Sequence, residues 1–79
     1  MSKYNPLSAW LHGQTANSIN ATVGTIERVL GFALPNSAGT WQQWWENDPN
    51  HAQAKAWLAA GYNTKDVHLT AENLAFVRS

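Results

Sequence analysis

Residues 50–69 read NHAQAKAWLAAGYNTKDVHL, and the change of period inside this stretch decides the fold. Up to residue 60 the pattern is helical. Alanine is the best helix former, and Ala52, Ala54, Ala56, Ala59 and Ala60 fill the segment. Ala54, Trp57 and Leu58 fall at i, i+3 and i+4, so they share one face. Asn50 is placed to cap this helix and Gly61 to close it, which predicts a helix over about 51–60. Beyond Gly61 the period becomes two. Val67 and Leu69 alternate with Asp66 and His68, Thr70-Ala71-Glu72-Asn73 turns the chain, and Leu74 and Phe76 alternate with Ala75 and Val77. This predicts a C-terminal β-hairpin with its tip at 70–73.

Upstream, Asn47-Asp48-Pro49 breaks the chain, because a residue before proline avoids helical geometry. Thr40 is placed to cap a short helix over 41–46, in which Trp41, Trp44 and Trp45 share a face. Phe32 to Pro35 reads as an apolar connector and 35–39 as an irregular loop. Val23, Ile26, Val29 and Leu30 form a helical face between Thr22 and Gly31, predicting a helix over 23–30. In 18–23, Ile19, Ala21 and Val23 alternate with Ser18, Asn20 and Thr22, as in a half-buried strand. Asn5-Pro6 reads as a helix start, and Leu7, Trp10 and Leu11 give the buried face of a helix over 6–12 that ends at Gly13.

The predicted order is helix, strand, helix, short helix, helix, strand, strand: an α+β domain of winged-helix-like type spanning residues 1–79. The alternative is a generic α+β domain with helices on one face of a three-stranded sheet. In the winged-helix reading 50–60 is the recognition helix and 70–73 the tip of the wing.

The bulk composition narrows the function. The chain has 79 residues and no cysteine, so a disulfide, a thiolate metal site and thiol redox chemistry are all excluded. Stability must come from packing, and each of the five tryptophans can bury roughly 150–250 Å². Trp44 and Trp57 are expected to be buried, with one of Trp41 or Trp45 partly exposed. Five basic residues balance five acidic ones, which argues against strong nonspecific attraction to phosphate. No apolar run reaches the length of a membrane span and the start MSKYNPLSAW has no signal-peptide core, so a soluble cytoplasmic protein is expected and the Asn20-Ala21-Thr22 sequon is incidental.

Three binding chemistries are on offer. A helix in the DNA major groove presents polar side chains from its N-terminal half, and Asn50, His51, Gln53 and Lys55 have suitable chemistry, flanked by Lys65 and Arg78 from the hairpin. The bland reading, a cap and a solvated face that polar residues occupy on any helix, has the stronger claim on the same residues. Alternatively, a partly exposed Trp41 or Trp45, rimmed by Gln42, Gln43, Asn47 and His51, fits the centre of a protein interface. The third is a small-ligand site in which aromatic walls and amides hold a nucleotide. The polar rim of Asn47, Asp48, Asn50, His51 and Gln53 also fits a structural Asn-Asp-Pro turn.

Material for catalysis is thin. His12, His51 and His68 lie on three different elements, with no His-x-x-x-His or phosphate-binding glycine loop. Asp48 and His51 are three apart and can pair, and Glu46 with Asp48 reads as solvated or as favouring the next helix N-terminus. A small non-enzymatic nucleic-acid-binding domain that uses helix 50–60 and the C-terminal hairpin is expected, with no cofactor and no metal. The alternative is a protein-interaction module, such as a phage inhibitor or a defence-system accessory protein, that uses the Trp-rich surface around 41–53.

Leu30-Gly31-Phe32-x-Leu34-Pro35-x-Ser37-Ala38, then Trp44-Trp45-x-Asn47-Asp48, then His51-x-Gln53-Ala54-x-Ala56-Trp57-Leu58-x-Ala60-Gly61-Tyr62 resembles the motif of a functionally undescribed family of small bacterial and phage domains. Tyr4-x-Pro6-Leu7 and the ending Phe76-Val77-Arg78 also fit, so the resemblance covers nearly the whole chain. Similar domains occur alone or beside nuclease-like and restriction-associated domains, and the resemblance therefore implies a nucleic-acid role. The chain departs from the pattern at Gly39-Thr40-Trp41-Gln42-Gln43, where similar domains are basic or histidine-rich. That neutral stretch suits a protein or small-molecule target.

Overall fold

Thr22 shows how local chemistry divides this chain. It ends strand β1 (Ser18–Thr22), and its hydroxyl accepts the Thr25 N–H at 3.1 Å to start helix α2 (Val23–Leu30). Gly31 closes α2 in the left-handed region (φ 83°), where its N–H reaches the Glu27 carbonyl at 2.8 Å. The structure, a computed structural model, describes residues 2–79. The other elements are α1 (Asn5–His12), α3 (Ser37–Thr40), a 3-10 turn (Gln42–Trp45), α4 (Ala52–Ala59), β2 (Tyr62–His68) and β3 (Asn73–Arg78).

The strands form one antiparallel sheet in the order β1-β3-β2. Its register places Ala21 beside Leu74, Ile19 beside Phe76, and Phe76 beside Thr64. Alternation then sends Ala21, Leu74, Phe76, Tyr62 and Thr64 to a buried face, and Asn20, Ala75 and Lys65 to the opposite face. Helices supply Leu7, Leu11, Ile26, Leu30, Ala54 and Trp57 to the same core. The result is a mixed α+β domain with a three-stranded sheet and a C-terminal hairpin. Among the described residues no helix is long and apolar enough to cross a membrane.

Several boundaries differ from the sequence reading. Asn5 is the first residue of α1, and Tyr4 occupies the capping position. Ser37 to Gly39, read as loop, are helical, and Thr40, read as the cap of the next helix, is instead the last residue of α3. The expected helix over 41–46 is absent: Trp41 is extended (φ −116°, ψ 120°), and a single 3-10 turn follows. Asn50 does not cap α4; His51 holds that position without a side-chain bond, and the Asn50 N–H turns back to the Asp48 carboxylate at 2.9 Å. An Asx turn has taken the place of a cap.

Strand β2 begins directly after Gly61 (φ 86°), five residues before the alternation at Val67 became visible. A bulge between Lys65 and His68 explains the gap, because the extra residue shifts the period partway along the strand. Asp66 sits there at φ 53°. The hairpin closes with the Glu72 N–H on the Leu69 carbonyl at 3.2 Å, one residue earlier than the predicted tip.

Glu72 itself adopts φ 57°, a region in which a Cβ is unfavourable by roughly 1–2 kcal/mol. Part of that penalty is offset by the greater freedom of glycine in the unfolded chain. Glu72→Gly is therefore expected to raise stability by about 0.5–1 kcal/mol in urea titrations. A loss of stability would show that the Glu72 side chain contributes more than its backbone costs.

Candidate functional site

The tryptophans separate into a core and a surface. Rings run in contact from Phe32 through Tyr4, Trp44, Trp45 and Trp57 to Phe76, with centroid separations of 6.0, 6.2, 4.7, 6.1 and 6.0 Å. Trp57 and Trp45 lie within the core, 0% and 2% exposed, and Trp44 is half-buried. Burial pushes the Tyr4 phenol above its ordinary pKa. Trp41 stands outside this array at 59% exposure, the exposed large hydrophobic residue of the described chain.

Two expectations are corrected here. Trp44 is partly exposed, whereas burial was predicted. Trp45 cannot form the centre of an interface, because its ring is enclosed and its indole N–H donates to the Ala38 carbonyl at 2.8 Å. The cause is the extended backbone at Trp41. It places Trp41 outside the turn that carries Trp44 and Trp45, so the three do not share one helical face.

Trp41 and Trp44 line an open hollow of about 430 Å³, with Gln43, Asn50, His51 and Gln53 among its polar neighbours. His51 lies 4.0 Å from the Asp48 carboxylate through Nε2, while its Nδ1 is buried without a partner among the described residues. Gln53 is held in place: its Nε2 donates to the Trp44 carbonyl at 2.9 Å.

The remaining candidates are scattered, and most are engaged. Gln42 donates to the Val67 carbonyl at 2.9 Å. Asn47 bonds Trp57 and Thr64. Arg78 donates to Gln14 O at 3.1 Å and to the Tyr62 hydroxyl at 2.9 Å, with its guanidinium 4.9 Å from the centre of that ring. Lys55 is exposed on α4 between Ala52 and Ala59, also exposed. Lys65 is exposed on the sheet face opposite the core, so Lys55 and Lys65 do not form one basic surface. The structure thus gathers Trp41, Gln43, Asn50, His51 and Gln53 and leaves Lys55, Lys65 and Arg78 apart.

A second cleft went unseen in the sequence. It lies between α2, the 34–39 connection and the hairpin, and it carries Glu27 and Glu72. No spacing signal could reveal it, because three separate segments of chain form its walls.

The chain belongs to the family described as "Domain of unknown function (DUF7662)", whose model matches residues 4–79. No curated protein and no solved structure matches it.

Proposed function

We propose that this member of the family is a non-enzymatic protein-interaction module whose contact surface centres on Trp41. The observation that carries this reading is a tryptophan 59% exposed beside the half-buried Trp44, in a domain whose other large rings are buried or half-buried. Tryptophan is enriched at binding hot spots, and charge is depleted at interface centres. The Trp41 hollow has amides and one histidine as its polar neighbours, and the chain's formal charge is zero.

A nucleic-acid reading is supported by a different observation. The element order, with the sheet order β1-β3-β2, fits a winged-helix-like arrangement in which α4 is the recognition helix and the 69–72 turn the wing. Its side chains favour it less. Gln53 points its amide at the chain's own backbone, and Lys55 is the one cation on α4.

The test uses wild-type domain and Trp41→Ala as paired baits, together with anisotropy of a labelled random duplex at about 50 and 200 mM salt. The expected result is a protein partner that survives the higher salt and binds Trp41→Ala at least about tenfold more weakly. Stability of the variant should stay within about 0.5 kcal/mol of wild type, as for other exposed positions. Salt-weakened duplex binding that persists in Trp41→Ala and disappears in Lys55→Ala would replace this reading with the nucleic-acid one.

A further inference from the structure

The cleft between α2 and the hairpin has the features of a small binding site independent of Trp41. Its volume is about 190 Å³, enough for a side-chain-sized ligand and smaller than the pockets that enclose drug-sized molecules. Val23, Leu34, Val67 and Leu69 supply apolar walls. Glu27 and Glu72 supply two carboxylates, and no lysine or arginine lines the cleft. His68 is the one lining group able to take up positive charge, and it is exposed at the end of β2.

Glu27 is fixed in position. It is half-buried, and its Oε2 accepts the Leu34 N–H at 2.7 Å, which pins the carboxylate between α2 and the 34–39 connection. Among the described residues no lysine or arginine lies within salt-bridge distance of a carboxylate, so neither Glu27 nor Glu72 is neutralised by one. A held, unpaired carboxylate against apolar walls is complementary to a cation with an apolar body.

We infer that this cleft binds a small organic monocation, a primary ammonium on a short alkyl or aryl body. The ammonium would take the free lone pairs of Glu27 and sit within the field of Glu72. Its body would cover Leu34, Val67 and Leu69.

The probe is n-pentylammonium, titrated into the full chain and followed by amide chemical shifts, with n-pentanol and pentanoate as neutral and anionic counterparts. The expected result is saturable shifts at the amides of Leu34, Gly39, Val67 and Glu72, with a Kd on the order of millimolar. Pentanol should bind about tenfold more weakly and pentanoate should give no saturable shift. Glu27→Gln with Glu72→Gln should weaken the ammonium about tenfold while the rest of the spectrum keeps its dispersion. Trp41→Ala should leave this binding unchanged, so the two surfaces fail or succeed separately. Absence of saturable shifts at these amides, equal binding of pentanol, or shifts confined to the Trp41 hollow would overturn the assignment.

Discussion

Trp57→Ala is expected to cost about 3–5 kcal/mol, the range for truncating a large buried ring. A chain of 79 residues has a total stability of only about 4–12 kcal/mol at roughly 0.05–0.15 kcal/mol per residue. The single substitution thus removes a large share of the fold, and at the lower end it leaves the unfolded state dominant. The size of the effect follows from where the ring sits. Trp57 is fully buried, stacks near-parallel on Trp45 at 6.1 Å and meets Phe76 at 6.0 Å, so it joins α4 to both the Trp-rich turn and the central strand. Its indole N–H donates to Asn47 Oδ1 at 2.9 Å. Trp57→Phe keeps most of the apolar contact and loses this bond, and its expected cost is about 1–2 kcal/mol. Urea titration followed by far-ultraviolet circular dichroism separates the two. A loss below about 1 kcal/mol for Trp57→Ala would place the ring outside the core.

The helices of this domain were legible because their signals are local. Thr22, Gly31 and Gly61 act on neighbouring backbone, and each lies at the boundary predicted for it. The stripes of α1, α2 and α4 likewise point the predicted residues inward, with Leu7, Leu11, Ile26, Leu30, Ala54 and Trp57 in the core. The region 37–50 was read less well, and distance along the chain is the reason. Gln42 bonds a carbonyl 25 residues away, Asn47 one 17 away and Gln53 one 9 away. Arg78 reaches back 64 residues to Gln14. In each case a polar side chain that periodicity places on a surface is drawn to an unpaired backbone group elsewhere. The carbonyls that Asn47 and Gln53 reach are half-buried and need a donor, which a side-chain amide can supply. Of the five residues that spacing assigns to the polar rim, Asn50, His51 and Gln53 line the Trp41 hollow, and Asn47 and Asp48 do not. Spacing could not show that Gln53 and Asn47 were already committed to the fold, nor which of Trp41 and Trp45 would be the exposed one.

Asn47→Ala is the second large prediction, with an expected loss of about 2–4 kcal/mol from a residue that is itself exposed. Its side-chain amide behaves like a short piece of strand. Oδ1 accepts the Thr64 N–H at 2.8 Å and Nδ2 donates to the Thr64 carbonyl at 3.2 Å, so both outward backbone groups of Thr64 are paired at the free edge of β2. The same Oδ1 holds the indole of Trp57. The Thr64 hydroxyl, with a single proton, gives it to the nearer Trp45 carbonyl at 2.5 Å and ties the 3-10 turn to the same strand. Alanine at 47 removes both bonds to the Thr64 backbone at once and leaves the Trp57 N–H without its acceptor. The coupling is directly measurable: in the Asn47→Ala background, Trp57→Phe should cost about 1 kcal/mol less than in wild type, because the shared bond is already gone. Amide exchange at Thr64 should accelerate beyond what the global loss of stability explains. Strict additivity of the two substitutions would mean that the indole and the amide do not share a bond in solution, and that Trp57 contributes through packing alone.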